Sequence, residues 1–210
     1  MKAGAGAASA PRGREAVKEA LLESAAALFA EQGIARVSVR DIAARARVNH
    51  GLVHRHFGTK EELVRSVMEK LAGELADVSR QSGETATSRL LPLMGALGDS
   101  RYVRVLARAL LDGAEVPDLQ VRFPVVGAML DAAQAARESG DLREEVDPKM
   151  AVAITVALGL GWLHFERFVV ASVGLEGSPE ALRAELATTM LGMFLAPRAT
   201  AAQSHSRKRR

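Results

Sequence analysis

Residues 38–57 read SVRDIAARARVNHGLVHRHF, and the fold follows from them. Ser38 with Asp41 three positions on is a capping-box pattern, so a helix opens just after Ser38. Ile42 and Ala43 give that helix an apolar patch, and the small Ala43 lets a second helix approach closely. Asn49 is a good cap for the next helix, which follows Arg45, Ala46, Arg47 and Val48. Val48 and Val53 point back toward Ile42 and Ala43, because Val53 sits about one turn into the second helix. His50, Gly51, Leu52, His54, Arg55 and His56 are left facing outward. They form a mostly polar, cation-capable face on a helix short enough to lie in a groove. The pattern is a helix-turn-helix.

The flanks support it. Val17, Leu21, Ala25, Leu28 and Phe29 recur near 3.6-residue spacing within Glu15–Gln32, which predicts an amphipathic helix stopped by Gly33. That helix serves mainly as the core that holds the motif. Thr59 and Glu62 form a second capping box, opening a helix that runs to about Val78 or Ser79 with Leu63, Val67, Leu71 and Leu75 on one face. Residues 14–79 therefore read as a helical DNA-binding-type domain. Residues 1–13, rich in Ala and Gly, read as a disordered arm from which Arg12 and Arg14 can reach phosphates or a minor groove.

Residues 80–196 read as a second, all-helical domain. Arg89–Leu97, kinked or shortened by Pro92, and Tyr102–Leu111 are the first two helices, and Gly113–Pro117 breaks the pattern. Arg122–Glu138 is a longer helix stopping near Gly140. Asp147-Pro148 and Ser178-Pro179 each place a cap before a proline at the first helical position, opening helices that run to about Ser172 and Leu195. Both are apolar on more than one face: Ala153, Ala157, Leu160, Gly161, His164 and Phe168 make one stripe, and Leu182, Leu186, Thr189, Met190, Met193 and Phe194 another. Half of that surface fits the domain's own core and half fits a second copy across a two-fold axis, a homodimer through residues about 148–195. Residues 197–210 read as a basic disordered tail ending in Arg207-Lys208-Arg209-Arg210.

Composition bounds the function. The 210 residues can bury a real core, and 48% of them are apolar and 25% charged, as in an ordinary globular protein. Cysteine is absent, which excludes disulfides and thiolate metal sites. No apolar run reaches the roughly 18–20 residues of a membrane span without polar interruption; the nearest, Ala151–Leu163, is followed by His164, Glu166 and Arg167. The N-terminus lacks the apolar core of a signal peptide, and the expectation is a cytoplasmic protein with no membrane partner. Lys and Arg exceed Asp and Glu by 12 to 9 over residues 1–75, trail them by 12 to 16 over 76–200, and stand 4 to 0 in the last ten. A basic head and tail on an acidic body suit a nucleic-acid partner for the head.

At this point the resemblance is specific. Ala26, Leu28 and Phe29 before Gly33, the pattern Ile42-Ala43, Ala46 and Val48, then Gly51, Arg55-His56-Phe57 and Thr59-Lys60-Glu61-Glu62-Leu63 stand in order at fixed spacings. Residues Arg14–Ala76 thereby resemble the N-terminal DNA-binding domain of the TetR family of bacterial transcription regulators. The resemblance implies an all-α fold: a three-helix helix-turn-helix domain, then a helical ligand-binding and dimerisation domain whose last two helices pair as a four-helix dimer bundle. It implies a palindromic DNA operator as partner, a small-molecule effector held inside the second domain, and the helix Lys60–Ser79 as the link between them. Two residues depart from the family pattern: Arg47 stands where a turn glycine is usual, and His54 where a tyrosine commonly reaches a phosphate.

The DNA-contacting candidates are Ser38, Arg40, Arg47, Asn49, His50, Leu52, His54, Arg55, His56 and Lys60. His50, Leu52 and Arg55 suit base edges; Asn49, His54, His56 and Lys60 suit phosphate or structural contacts; Arg36, Arg40, Arg45 and Arg47 suit non-specific attraction. The effector candidates are Met94, Leu97, Tyr102, Phe123, Val126, Met129, Trp162, Phe165 and Glu166, mostly apolar, so the expected ligand is apolar or aromatic. For each, a plain core role is the competing reading. An enzyme is not expected, since no metal-ligand cluster, phosphate loop or nucleophile–base spacing occurs, and no metal or cofactor is expected. His50 and His54, four apart, could hold a metal from one helix face, but no acidic or thiol partner stands nearby. The alternative to a regulator is a helical small-molecule-binding protein without specific DNA binding.

Overall fold

The computed structural model describes residues 11–83, 85, 92, 93, 95, 96 and 100–196. The N-terminal arm up to residue 10, most of the Arg89–Leu97 helix, the effector candidates Met94 and Leu97, and the tail from 197 lie outside the described residues. Among the described residues the ordered elements are helices: α1 Arg14–Gln32, α2 Val39–Ala46, α3 Gly51–Phe57, α4 Lys60–Gln81, α5 Arg101–Leu111, α6 Val116–Leu119, α7 Pro124–Glu138, α8 Pro148–Val173 and α9 Pro179–Phe194. The all-α fold is as expected; β pairing among the described residues is limited to one isolated bridge between Leu142 and Leu195. The break expected at Gly113–Pro117 is shorter, because Pro117 at a helix start opens the turn that forms α6.

The chain divides into two compact units, residues 1–74 with 100–123, and residues 75–99 with 124–210. Residues 100–123, which the sequence groups with the second domain, thus pack with the first. Helix α5 buries Tyr102, Val103, Val105 and Ala109, and ion pairs join the helices of this unit. Lys70 on α4 meets Glu19 at 3.1 Å and Glu23 at 3.0 Å on α1, and Glu74 on its own helix. Arg101, at the start of α5, meets the same Glu23 at 2.8 Å. Burial alone would lower the Lys70 pKa, but the hydrogen bonds it donates to Glu74, Glu23 and Glu19 outweigh it and raise it. The hydrogen bond from Arg101 holds Glu23 below the usual carboxylate range. Gly33 adds a close approach: it has φ 84°, and a Cβ there would stand 2.8 Å from the Arg108 side chain of α5.

The core of the first unit is built from the residues whose spacing predicted it. Leu21, Ala25 and Phe29 on α1 are fully enclosed, as are Ile42 on α2 and Leu63, Val67 and Met68 on α4. Val53 and Phe57 of α3 are buried with them. In the second unit Asp147 and Ser178 cap α8 and α9, accepting from the N–H groups of Met150 and Ala181. The end of α9 is tied to the α7–α8 loop. The Arg143 side chain donates to the Leu195 and Gly192 carbonyls, and its N–H donates to Phe194. Those carbonyls would otherwise lack partners at the helix end.

Helix α8 needs one correction to the sequence reading. It is a single 26-residue helix with an apolar window of mean hydropathy 1.3, long and apolar enough by length and composition to cross a membrane. Only 17% of that window is buried, and Leu158, Phe165 and Phe168 lie open at 44%, 55% and 72% exposure.

Candidate nucleic-acid interface and effector region

The helix-turn-helix is fixed locally before any tertiary packing is counted. The Ser38 hydroxyl accepts from the Asp41 N–H at 3.2 Å, and the Asp41 carboxylate accepts from the Ser38 N–H at 2.9 Å, the reciprocal pair that the sequence predicts. The Ser38 hydroxyl also donates to that carboxylate at 2.6 Å, and this bond is the first cause that holds the Asp41 pKa below its ordinary value. Helix α2 ends with Arg47 in the left-handed region, φ 58° and ψ 41°. The Val48 N–H reaches back to Ala43 and the Arg47 N–H to Ala44, the two bonds of a Schellman stop. Arg47 is the one residue other than glycine with positive φ among the described residues.

The start of α3 differs by one residue from the sequence expectation. His50 occupies the boundary in helical geometry and caps nothing with its side chain. Asn49 still satisfies one free donor, since its side-chain oxygen accepts from the Gly51 N–H at 2.8 Å. With Val53 and Phe57 turned into the core, α3 presents Asn49, His50, Gly51, His54 and Arg55 as exposed residues, and Leu52 and His56 as half-buried ones. Leu52, Arg55 and His56 line a groove of about 360 Å³ with Gly13, Arg14 and Val17 from the start of α1. The groove brings Arg14 of the arm's base beside the recognition face.

Three candidates are otherwise engaged than the sequence suggests. The Lys60 ammonium, expected at a phosphate, donates to the Ile34 carbonyl at 2.8 Å in a half-buried position. Arg45 is committed to Glu31 through two bonds of 2.7 and 2.8 Å, which pin α2 to the end of α1. His54 Nδ1 bonds the Gly58 carbonyl at 2.9 Å. A carbonyl only accepts, so Nδ1 is the donor in this bond. No local signal marks the Lys60 or Arg45 contacts, which join residues 26 and 14 apart. Ser38 is exposed and serves the cap; Arg40 and Arg47 are exposed beside it.

Residues 21–67 match the model of the bacterial regulatory proteins of the tetR family. Over 167 residues the chain is 42% identical to the HTH-type transcriptional repressor Rv3405c of Mycobacterium tuberculosis, which spans 79% of this chain and 82% of the relative. The chain belongs to the TetR family. It is therefore a DNA-binding transcription regulator and not an enzyme. Among solved structures, the Streptomyces coelicolor transcriptional regulator SCO4942 superposes with a TM-score of 0.66 at 25% identity, covering 87% of this chain and 99% of the other. The SmeT–triclosan complex superposes at 0.60 and 27% identity, covering 87% and 93%.

The effector candidates do not form one set. Tyr102 and Phe123 fall in the first unit; Val126, Met129, Trp162, Phe165 and Glu166 fall in the second. Tyr102 is buried with its hydroxyl donating to Gln120 at 3.1 Å, and burial raises its pKa. Phe123 and Phe165 are exposed at 44% and 55%. Met129 is buried, Val126 and Trp162 are half-buried, and Glu166 faces Arg183 of α9 at 3.7 Å. The Trp162 indole N–H is enclosed without a hydrogen-bond partner among the described residues.

The caps and the turn set opposite expectations for stability. Ser38→Ala removes the α2 cap and is expected to cost about 1 kcal/mol. Arg47→Gly relieves a left-handed residue whose cost is on the order of 1 kcal/mol, and is expected to unfold no earlier than the parent. Urea titration followed by circular dichroism reads both, and an Arg47→Gly protein less stable than Ser38→Ala would overturn the account of the turn.

Proposed function

We propose that this chain is a transcriptional repressor that binds a palindromic operator as a homodimer and is released by a small, largely apolar effector. The observation that carries the DNA half is the α3 surface: two aliphatic-aromatic anchors inward, and Asn49, His50, His54 and Arg55 open on the other side. A seven-residue helix with that face fits the major groove, with Arg55 suited to guanine and Arg36, Arg40 and Arg47 suited to phosphate attraction. The named repressor Rv3405c, so similar over most of both chains, favours repression over activation. Such a protein works in the bacterial cytoplasm, on the nucleoid when bound.

The homodimer reading rests on α8 and α9. Leu158, Phe165 and Phe168 lie open on α8 and Met193 lies open on α9, an apolar face that a second copy would cover. Two heads so joined read half-sites about 34–36 Å apart, one turn of DNA. The effector reading rests on Trp162. An enclosed indole N–H left unbonded costs on the order of 1–3 kcal/mol, and an acceptor on a mostly apolar ligand would satisfy it. The neighbouring Glu166–Arg183 pair could orient a polar end of the same ligand. A ligand-bound relative, the SmeT–triclosan complex, supports an apolar aromatic class.

Fluorescence anisotropy against DNA upstream of the coding region, with scrambled duplex as competitor, tests the reading. Tight binding to one imperfect palindrome is expected, and Arg55→Ala should weaken it tenfold or more while Glu145→Ala, exposed in the loop before α8, leaves it unchanged. Equal losses from both would misplace the DNA surface. For assembly, Phe165→Glu with Phe168→Glu should convert the dimer to monomer in analytical ultracentrifugation, and a dimer of undiminished strength would move the interface elsewhere.

A further inference from the structure

A cleft of about 290 Å³ opens within the first unit, walled by the α1–α2 loop, the first turn of α4, the end of α5 and α6. Its floor is apolar: Val64, Ala109 and Leu119 are buried, and Ile34 and Ala114 are half-buried at its sides. Its polar lining is one-sided. Glu61, Asp112 and Asp118 stand around it against the single cation Lys60, one of whose ammonium hydrogens goes to the Ile34 carbonyl. Asp112 has only a loose 3.9 Å approach from Arg108, with both side chains about half exposed. Asp118 makes no ion pair among the described residues.

Apolar walls with a few polar groups are the usual make-up of a small-ligand site, and the volume falls just under the ordinary range of about 300–1,000 Å³. An anion would meet three carboxylates against one lysine, a net negative lining. A neutral apolar molecule would fill the floor and leave the rim charges unanswered. We infer that this cleft binds a small organic cation, an ammonium carried on an apolar or aromatic body, with the body against Val64, Ala109 and Leu119 and the charge toward Asp112 and Asp118. The site is separate from the Trp162 region, which belongs to the other unit.

The test uses the full chain and two probes of equal shape and opposite charge, phenethylammonium and phenylacetate, titrated into isotopically labelled protein and followed by amide and methyl chemical shifts. Saturable shifts from phenethylammonium at Val64, Ala109, Ala114 and Leu119 are expected, with at least tenfold weaker response to phenylacetate. Asp112→Asn combined with Asp118→Asn should weaken phenethylammonium binding fivefold or more. Both aspartates are exposed, so the spectrum itself reports that the fold is kept. Equal response to the two probes, no shift at these four residues, or undiminished binding by the double variant would overturn the inference. A response confined to the Trp162 indole would also overturn it while leaving the effector reading standing.

Discussion

A helix of seven residues cannot hold its own shape in water, because isolated helices shorter than about 12–15 residues are marginal even with good helix formers. Helix α3 has Gly51 at its start, three histidine or arginine residues in its last turn, and only Val53 and Phe57 to bury. Everything else in the first unit is arranged around that deficit. The Asn49 side chain supplies a donor's partner at its start, Gly58 returns an N–H to His54 at its end, and α1, α2 and α4 supply the enclosed residues against which its two anchors rest. A reading surface must be exposed and polar, and such a surface contributes nothing to folding. The cost therefore falls on the neighbours.

The ion cluster around Lys70 shows how the burden is shared. Lys70 binds α4 to α1 through Glu19 and Glu23, and Glu23 binds α1 to α5 through Arg101. One carboxylate serves two cations on two helices, so moving α5 alters the charge balance at the α1–α4 seam. These side chains are partly exposed, and exposed ion pairs contribute little energy singly. Their effect is geometric. They tie the start of residues 100–123 to the compact unit that contains α3, although the chain reaches them only after leaving that unit at residue 74. On the proposed reading, a ligand that acts on the head has α5 as a second handle beside α4.

What the sequence made legible follows the range of the interactions. Both capping boxes, the proline-led starts of α8 and α9 and the buried face of α1 are contacts within a few residues, and each has a signature of composition and spacing. The Lys60–Ile34 and Arg45–Glu31 bonds were not legible, because a lysine or arginine beside a DNA motif reads as a phosphate ligand until a partner far along the chain is seen to occupy it. The membership of α5 in the first unit was hidden for the same reason: Glu23 and Arg101 lie 78 residues apart. Apolar periodicity in α8 told that the helix has two apolar faces and gave no sign of which aromatic lay on which. The structure turns Trp162 and Glu166 inward and Phe165 outward, as a shift of about one position around a 3.6-residue turn requires.

That division of α8 bears on how the two proposed tasks coexist. Adjacent residues on a helix point about a quarter-turn or more apart, so one helix can offer a polar-tipped inner face and an apolar outer face without conflict. If the outer face is held by a second copy, the inner face cannot shift freely when a ligand enters, since packed interfaces move between discrete arrangements rather than deforming smoothly. A ligand that satisfies the Trp162 donor in one arrangement and leaves it orphaned in another gains roughly 1–3 kcal/mol of preference between them. That matches the 1–3 kcal/mol typical of coupling between an effector and a distant site. One buried donor is thus enough, in magnitude, to account for the whole of such a response.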